Sequence, residues 1–121
     1  MDDQNQQNGP QAVKTAKLEA RHEGHVVATA AVECSPEPHG TAKIALARHT
    51  DDIPAEVRSE LVDRVLDSPG VSNSDGVHVV LPLGDTASIS RLQDRTTSFS
   101  ARAAGASSVV DADIPVPDVE R

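Results

Sequence analysis

The fold is decided by the stretch VKTAKLEARHEGHVVATAAVEC, residues 13–34, which alternates between apolar and polar side chains on both sides of Gly24. A period of two residues is typical of a strand that buries one face. Two such segments joined by a short polar link with a glycine predict an antiparallel hairpin, because glycine readily takes the left-handed conformation of tight turns. We therefore expect strands over residues 13–21 and 25–33.

The register of this hairpin follows from which side chains share a face. A two-residue turn would place Leu18 opposite Thr29 and mix the apolar and polar faces. A three-residue loop with Gly24 in the left-handed conformation places Leu18 beside Ala28 and keeps the apolar faces together. The prediction is therefore the second register. Its other pairs are Ala20 with Val26 and Ala16 with Ala30.

Two further elements follow the hairpin. After a turn rich in proline, residues 41–49 alternate again and predict a third strand. Asp51 or Asp52 then provides the cap of a helix that carries Pro54 in its first turn. An apolar stripe at helical spacing runs to the Ser-Pro-Gly sequence of residues 68–70, where we expect the helix to end.

The second half of the chain adds one helix and three strands. The run VHVVLPL, residues 77–83, is almost continuously apolar and predicts a strand covered on both faces of a sheet. Asp85 is placed to cap the helix that follows at residues 86–95. Two short strands are predicted at residues 97–102 and 107–112.

Together these elements predict an α+β fold in the order βββαβαββ, with a mixed, mostly antiparallel sheet and two helices. The two βα connections require part of the sheet to be parallel. A chain of 121 residues allows one domain, which we place at residues 12–113. Residues 1–11 and 114–121 are polar or proline-rich, and we expect them to form disordered tails.

The composition of the chain excludes several classes of binding partner. The net charge is -8 and the single aromatic residue is Phe99. An acidic surface repels phosphate backbones, and one Phe gives no platform for stacked bases, so we expect no nucleic-acid partner. The N-terminus has no secretory signal, no apolar run is long enough for a bilayer, and Cys34 forms no internal disulfide. We therefore expect a cytoplasmic protein without a membrane partner.

The order of elements over residues 13–112, with the hairpin EGHVVA at residues 23–28, resembles the GNAT acetyltransferase fold. In that family a glycine-containing loop between a strand and the next helix holds the coenzyme A pyrophosphate on backbone N–H groups. The equivalent stretch here is HTDDIPAE, residues 49–56, which has no glycine, while Pro54 removes a donor. Asp51 and Asp52 add carboxylates where a polyanion would sit.

The resemblance therefore implies a scaffold without the coenzyme site. It also implies that the first strand and two helices of the family, which form much of the acceptor site, are missing from this chain. No catalytic residue of the family can be carried over to a position of this sequence.

Histidines suggest a possible metal site. If the predicted register continues through the second hairpin with Ala30 opposite Ile44, His25 pairs with His49 across the strands. The carboxylates of Asp51 and Asp52 then lie at the same end of the sheet, and the four residues form a partial ligand set for zinc or iron. The alternatives are a solvated polar face, which Arg21 beside His25 favours over a cation site, and a pH-responsive histidine pair.

Two other residues with reactive side chains have simpler explanations. Cys34, Glu37 and His39 lie around one turn and resemble a nucleophile, an orienting group and a base, but a lone cysteine at a strand end is usually a packing residue. His78 lies inside the most apolar strand and is predicted to be a hydrogen-bonded core histidine.

The junction between the apolar strand and the second helix is a candidate anion site. Gly84, Thr86 and Ser88 lie where the carboxyl end of a strand meets a helix N-terminus, which is the usual place for ligands in α/β sheets. Their amides and hydroxyl groups could hold a small anion. The structural alternative is that Asp85 already caps those amides.

Because no catalytic motif is present, the favoured hypothesis is a non-catalytic cytosolic binding or regulatory module with no bound cofactor. We expect it to act through protein contacts as a homodimer, because one strand face carries semi-apolar surface that two helices on the other side cannot cover. That surface comprises Val27, Ala31, Ala45 and Ala47. The first alternative is a degenerate or partner-completed GNAT-like acyltransferase that uses acetyl-coenzyme A, and the second is a histidine-based metal or pH sensor.

Overall fold

A computed structural model describes residues 14–35, 40–50 and 52–115 of the chain. Its strands are β1 Lys14–His22, β2 His25–Cys34, β3 Thr41–Arg48, β4 Gly76–Pro82, β5 Thr97–Ala104 and β6 Ser107–Asp113. Its helices are α1 Ala55–Asp67, α2 Pro69–Ser72 and α3 Thr86–Arg95. The α+β class and the predicted succession of strands and long helices are confirmed.

The short helix α2 begins within the Ser-Pro-Gly sequence at which helical structure was expected to end. Pro69 occupies its first turn, where a missing N–H is tolerated, and Val71 is fully buried. Burial of that one valine in the core explains why a segment whose composition is typical of a loop forms one helical turn. Local composition alone predicts a loop there, since the packing partner comes from elsewhere in the chain.

The strands form one six-stranded sheet in the order β1-β2-β3-β4-β6-β5. The β3–β4 pair is parallel and the other pairs are antiparallel. The sheet is therefore mixed and mostly antiparallel, as predicted. Its parallel pair is created by α1, which carries the chain back across the sheet between β3 and β4.

The first hairpin has a different register from the predicted one. Its turn has only two residues, Glu23 and Gly24, both with positive φ (54° and 83°), and Ala20 lies opposite Ala28. A bulge beside Ala20 restores the apolar faces that a two-residue turn would otherwise mix, so Leu18 lies opposite Ala30. The predicted three-residue loop was wrong because residues 26–28 are all apolar, so the sequence does not show where the bulge interrupts the alternation.

The second hairpin is displaced from the prediction by the same two residues. Ala30 lies opposite Leu46, and Ile44 lies opposite Val32. A shift of two residues keeps every side chain on its predicted face. Away from the bulge, the predicted faces are therefore right in both hairpins, although the predicted pairs are wrong. Beside the bulge the face is wrong too, because Val26, predicted to share a face with Ala20, lies opposite Arg21.

One face of the sheet is covered by the helices. Apolar side chains of β3 and β4 pack there against Val62, Leu66 and Leu92 of α1 and α3. Within residues 14–35, 40–50 and 52–115 no helix covers the other face, so the prediction that β4 is covered on both faces was wrong: Val79 is fully buried, whereas His78 is partly exposed. We call this second surface the open face.

Part of the predicted dimer surface lies on the open face. Ala31, Ala45 and Ala47 are exposed there, while Val27 is buried, at 7% exposure. The predicted tails fall almost entirely outside the described residues. Ile114, assigned to the second tail, donates its backbone N–H to the Asp75 carbonyl at 2.8 Å and packs against the core. Among the described residues no helix has the length and apolar character to cross a membrane.

Candidate functional site

The candidate site is a crevice between the carboxyl ends of the two parallel strands. Strands β3 and β4 pair only as far as Ala45 and Val80, and each strand continues beyond that pair. Helices α1 and α3 both begin just after these ends. Ligands of α/β proteins usually bind at such a position, outside the carboxyl ends of strands that separate. The crevice is lined by Ala28, Leu46, Ala47, Arg48, Ile53, Arg58, Leu61, Pro82, Asp85 and Ser88.

The corner from β3 to α1 presents an uncapped helix N-terminus. The N-cap residue is Pro54, and among the described residues no side chain caps the helix. The Val57 N–H of the first turn donates instead to the Pro54 carbonyl at 3.1 Å. The predicted cap was Asp51 or Asp52, but Asp51 lies outside the described residues and Asp52 is exposed and is not the N-cap residue. Pro54 displaces the cap because its ring fixes a backbone φ that suits a helix start, while its side chain accepts no hydrogen bond.

The corner from β4 to α3 is closed by its own carboxylate. Gly84 has a φ of 88°, which turns the chain, and Asp85 Oδ1 accepts a hydrogen bond from the Ser88 backbone N–H at 3.3 Å. Asp85 is buried, at 5% exposure. The predicted cap on α3 is confirmed. In the predicted anion site of Gly84, Thr86 and Ser88, this carboxylate therefore holds the Ser88 amide.

Arg58 of α1 joins the two corners. Its Nη1 donates to Asp85 Oδ1 at 3.1 Å, and its side chain is 22% exposed. The Nε of Arg58 is buried and has no hydrogen-bond partner within the part of the chain that the structure describes. A buried unpaired donor is uncommon in proteins and marks a place where an acceptor would be stabilised. No sequence pattern indicates this role of Arg58, because Arg58 and Asp85 are 27 residues apart in the chain.

Two solved structures that are similar to this chain in fold belong to proteins named as acetyltransferases. A protein described as an acetyltransferase from Sphaerobacter thermophilus DSM 20745 is 14% identical, with a TM-score of 0.59 over 98% of this chain and 78% of that chain. The ribosomal-protein-alanine N-acetyltransferase from Brucella melitensis is 13% identical, with a TM-score of 0.55 over 84% of this chain and 69% of that chain. The chain has a GNAT-like fold.

A third structure, the GNAT domain of S. lividans PAT, is 14% identical with a TM-score of 0.48 over 83% of this chain and 61% of that chain. No protein-family model and no curated protein matches the sequence. At these identities the similarity establishes the GNAT-like fold alone, so the function has to be argued from the crevice.

The predicted histidine pair does not form in this GNAT-like fold. The backbone N–H of His49 donates to the Val27 carbonyl, and its ring Nε2 lies 3.3 Å from Thr29 Oγ1, whereas His25 lies opposite His22. The pairing failed because it depended on the register that the bulge displaces. Over residues 14–35, 40–50 and 52–115, no group of three or more His, Cys, Asp or Glu side chains could hold a metal ion.

Cys34 and His78 lie away from the crevice. Burial raises the pKa of the Cys34 thiol, which disfavours the thiolate that a nucleophile needs, and Glu37 and His39 lie outside the described residues. His78 is on the open face, not in the core as predicted, and its Nδ1 lies 2.7 Å from Asp111 Oδ1. That hydrogen bond is the largest reason for the lowered pKa of Asp111.

Proposed function

We propose that this chain is a GNAT-like acyltransferase that binds acetyl-coenzyme A at the crevice between β3 and β4. The observation that carries the proposal is the uncapped N-terminus of α1, which lies where the two parallel strands separate. Unpaired amides at a helix start, together with the helix dipole, favour a phosphate or another anion. The fold of the structural neighbours supports the same function.

Two groups of this chain supply the donors that a coenzyme would need. The backbone N–H groups of Ala55 and Glu56, which precede the bonded Val57 amide, would face the pyrophosphate, and the unpaired Nε of Arg58 would face an acceptor deeper in the crevice. Acetyl-coenzyme A supplies the acyl group as a thioester when it is bound. The role of this chain's residues at that site is to bind and orient.

The crevice offers hydrogen-bond donors but has too little volume for a coenzyme in this conformation. Its volume is about 10 Å³, close to that of one water molecule, and the Arg58–Asp85 ion pair forms one wall. Binding therefore requires the Arg58 head to leave Asp85 and turn towards the ligand. The Asp52 and Glu56 carboxylates near the start of α1 weaken the attraction for a polyanion.

The closed crevice favours a second candidate function. Asp85 supplies from within the chain the negative charge that a ligand would bring, which suits a scaffold that no longer binds a coenzyme. The chain would then be a non-catalytic, cytoplasmic regulatory module that acts through protein contacts as a homodimer. Under this candidate acetyl-coenzyme A would not stabilise the protein.

A thermal-shift titration with acetyl-coenzyme A separates the two candidates. We expect about 1 mM ligand to raise the melting temperature of the wild-type chain, because a ligand that binds only the folded state stabilises it. The Pro54→Asp variant places a carboxylate at the N-cap of α1 and should abolish the shift. The matched control Pro69→Asp, at the start of α2, should keep it.

Circular dichroism of both variants checks that they are folded. An unchanged melting temperature of the wild type at this concentration would reject the acyltransferase proposal and favour the regulatory module. An equal shift in the Pro54→Asp variant would place the coenzyme somewhere other than the start of α1.

A further inference from the structure

The sheet ends in two edge strands, β1 and β5. The outer backbone N–H and C=O groups of an edge strand have no partner within the sheet, and they can pair with a strand of another chain. Natural proteins therefore protect such edges with charged side chains, with bulges or with covering groups. The two edges of this sheet differ in how they are protected.

The outer edge of β1 is protected twice. Charged side chains occupy positions along the strand, including Lys14, Lys17 and Arg21. In addition, Arg64 of α1 reaches the edge and donates from Nη1 to the backbone carbonyl of Glu19 at 2.7 Å. A strand from another chain would have to displace that guanidinium.

The outer edge of β5 has much less protection. Seven of its eight residues are exposed and the single charged residue is Arg102. The Arg102 guanidinium donates from Nη1 to Asp111 Oδ2 of β6 at 3.2 Å. It therefore lies over the sheet and does not shield the edge. A positive φ at Ser98 (53°) accompanies a bulge over residues 97–100. The regular part of the unprotected edge therefore runs from Ser100 to Ala104.

The turn identifies which groups face outward. β5 and β6 are joined by the two residues Gly105 and Ala106, so Ala104 and Ser107 form the hydrogen-bonded pair that closes the hairpin. Hydrogen-bonded and non-hydrogen-bonded pairs alternate along an antiparallel ladder. The N–H and C=O groups of Ala101 and Ala103 therefore point away from β6 towards the outer edge.

We propose that β5 pairs in antiparallel orientation with β5 of a second copy of this chain, which joins two sheets into one across a two-fold axis. The register that uses all the outward groups places Ala101 opposite Ala103 of the second copy, and each such pair exchanges two hydrogen bonds. The contact is closed, because the same edge serves both copies. This inference does not depend on acetyl-coenzyme A binding.

The side chains of β5 favour a second copy over a peptide ligand. Strand addition of a peptide gains its specificity from pockets for alternate side chains, whereas this edge offers Ser and Ala. On the helix side of the sheet, Ala101 and Ala103 are exposed beside Phe99. The same three residues of a second copy would extend that apolar strip and shield it from water.

Charge neutralisation allows the pairing. In the proposed register the two Arg102 residues lie opposite each other, and each is already paired with its own Asp111. The proposal therefore predicts that the Asp111→Asn variant weakens the dimer, because it leaves two neighbouring guanidinium groups without their carboxylates.

The test is sedimentation velocity on the full chain over a range of concentrations up to about 100 μM. We expect a dimer for the wild type. Ala103→Pro removes an outward N–H without touching the β5–β6 ladder, and it should raise the dissociation constant at least about tenfold. The matched control Lys17→Pro removes an N–H on the outer edge of β1 and should leave the dimer intact.

Hydrogen exchange gives a second measurement that does not depend on a variant. The amides of Ala101 and Ala103 should become protected as concentration rises. A monomer at all concentrations would overturn the proposal, and so would a dimer that Ala103→Pro leaves unchanged. A monomer with both amides protected would also overturn it, and would point to other residues of the same chain on that edge.

Discussion

The two corners at the crevice make the same topological step, from the carboxyl end of a parallel strand to the start of a helix. At the start of α3, Asp85 is buried and its carboxylate accepts the Ser88 amide. At the start of α1, Pro54 is the N-cap residue, and within the described part of the chain no side chain caps the helix. One carboxylate therefore decides whether such a corner is a capped structural joint or an uncapped helix start.

The two corners are also coupled. Arg58 lies in the first turns of α1 and donates a hydrogen bond to Asp85, the cap of α3. The start of α3 is therefore stabilised by a residue of α1. The charge of the Asp85 carboxylate is thereby satisfied by one backbone amide and one guanidinium. Removal of either partner should therefore affect both helices.

Loss of Asp85 should have the largest effect. Asp85→Ala removes the α3 cap and leaves the half-buried Arg58 cation without its carboxylate, so we expect a loss of about 3 kcal/mol in the free energy of unfolding. Urea denaturation measures it, with Asp94→Ala, an exposed aspartate of the same helix, as the control. A loss no greater than that of the control would show that the closed corner is not a stabilising joint.

Loss of Arg58 should be less severe. Arg58→Met keeps an apolar stem in the crevice and removes the charge, while Asp85 retains the Ser88 amide, so we expect a loss of about 1–2 kcal/mol. The double variant with Asp85→Ala should lose less than the sum of the two single variants. Strict additivity would mean that the two corners are energetically independent.

The features that sequence predicts best at these corners are local ones. Asp85 lies directly before an amphipathic helix, and the N-cap preference of aspartate is enough to predict its role. The same preference predicts a cap at Asp51 or Asp52, yet Pro54 lies nearer to the helix and takes the N-cap position. A rule that depends on a few adjacent residues fails when a second signal competes within the same turn.

Features that depend on distant residues were not predictable in this way. Arg58 and Asp85 are 27 residues apart, and nothing in the spacing of either residue reveals the other. The hairpin registers failed for another reason: a two-residue shift preserves every side-chain face, so burial patterns cannot detect it. The expected pairing of His25 with His49 depended on that register and failed with it.

The open corner can be probed by comparison of two substitutions at one position. Pro54→Ser offers a hydroxyl group to the first-turn amides of α1, whereas Pro54→Ala offers none, and both variants lose the proline ring equally. We expect the serine variant to be the more stable by about 1 kcal/mol in thermal or urea denaturation. Equal stabilities would mean that a side-chain cap adds nothing to the hydrogen bond that the Val57 N–H already makes to the Pro54 carbonyl.

The smallest expected effect comes from the ion pairs that join the two helices beyond their first turns. Asp63 of α1 receives a bidentate pair from Arg91, at 2.7 and 3.0 Å, and a further hydrogen bond from Arg95 at 2.8 Å. The hydrogen bond from Arg91 is the largest reason that the pKa of Asp63 lies below its ordinary value. The group is partly exposed, with 27% of its side chain accessible, so its contribution is below about 1 kcal/mol.

The sign of the pH dependence follows from that lowered pKa. A carboxylate that binds protons less readily when folded contributes stability above its unfolded-state pKa of about 3.9, and this contribution is lost as pH falls through the folded-state pKa. Urea denaturation at pH 7 and about pH 3 should therefore show a smaller acid loss for Asp63→Asn than for the wild type. Asp94→Asn is the control. If Asp63→Asn loses as much stability in acid as the wild type, the coupling between α1 and α3 resides at the Arg58–Asp85 contact and not along the helices.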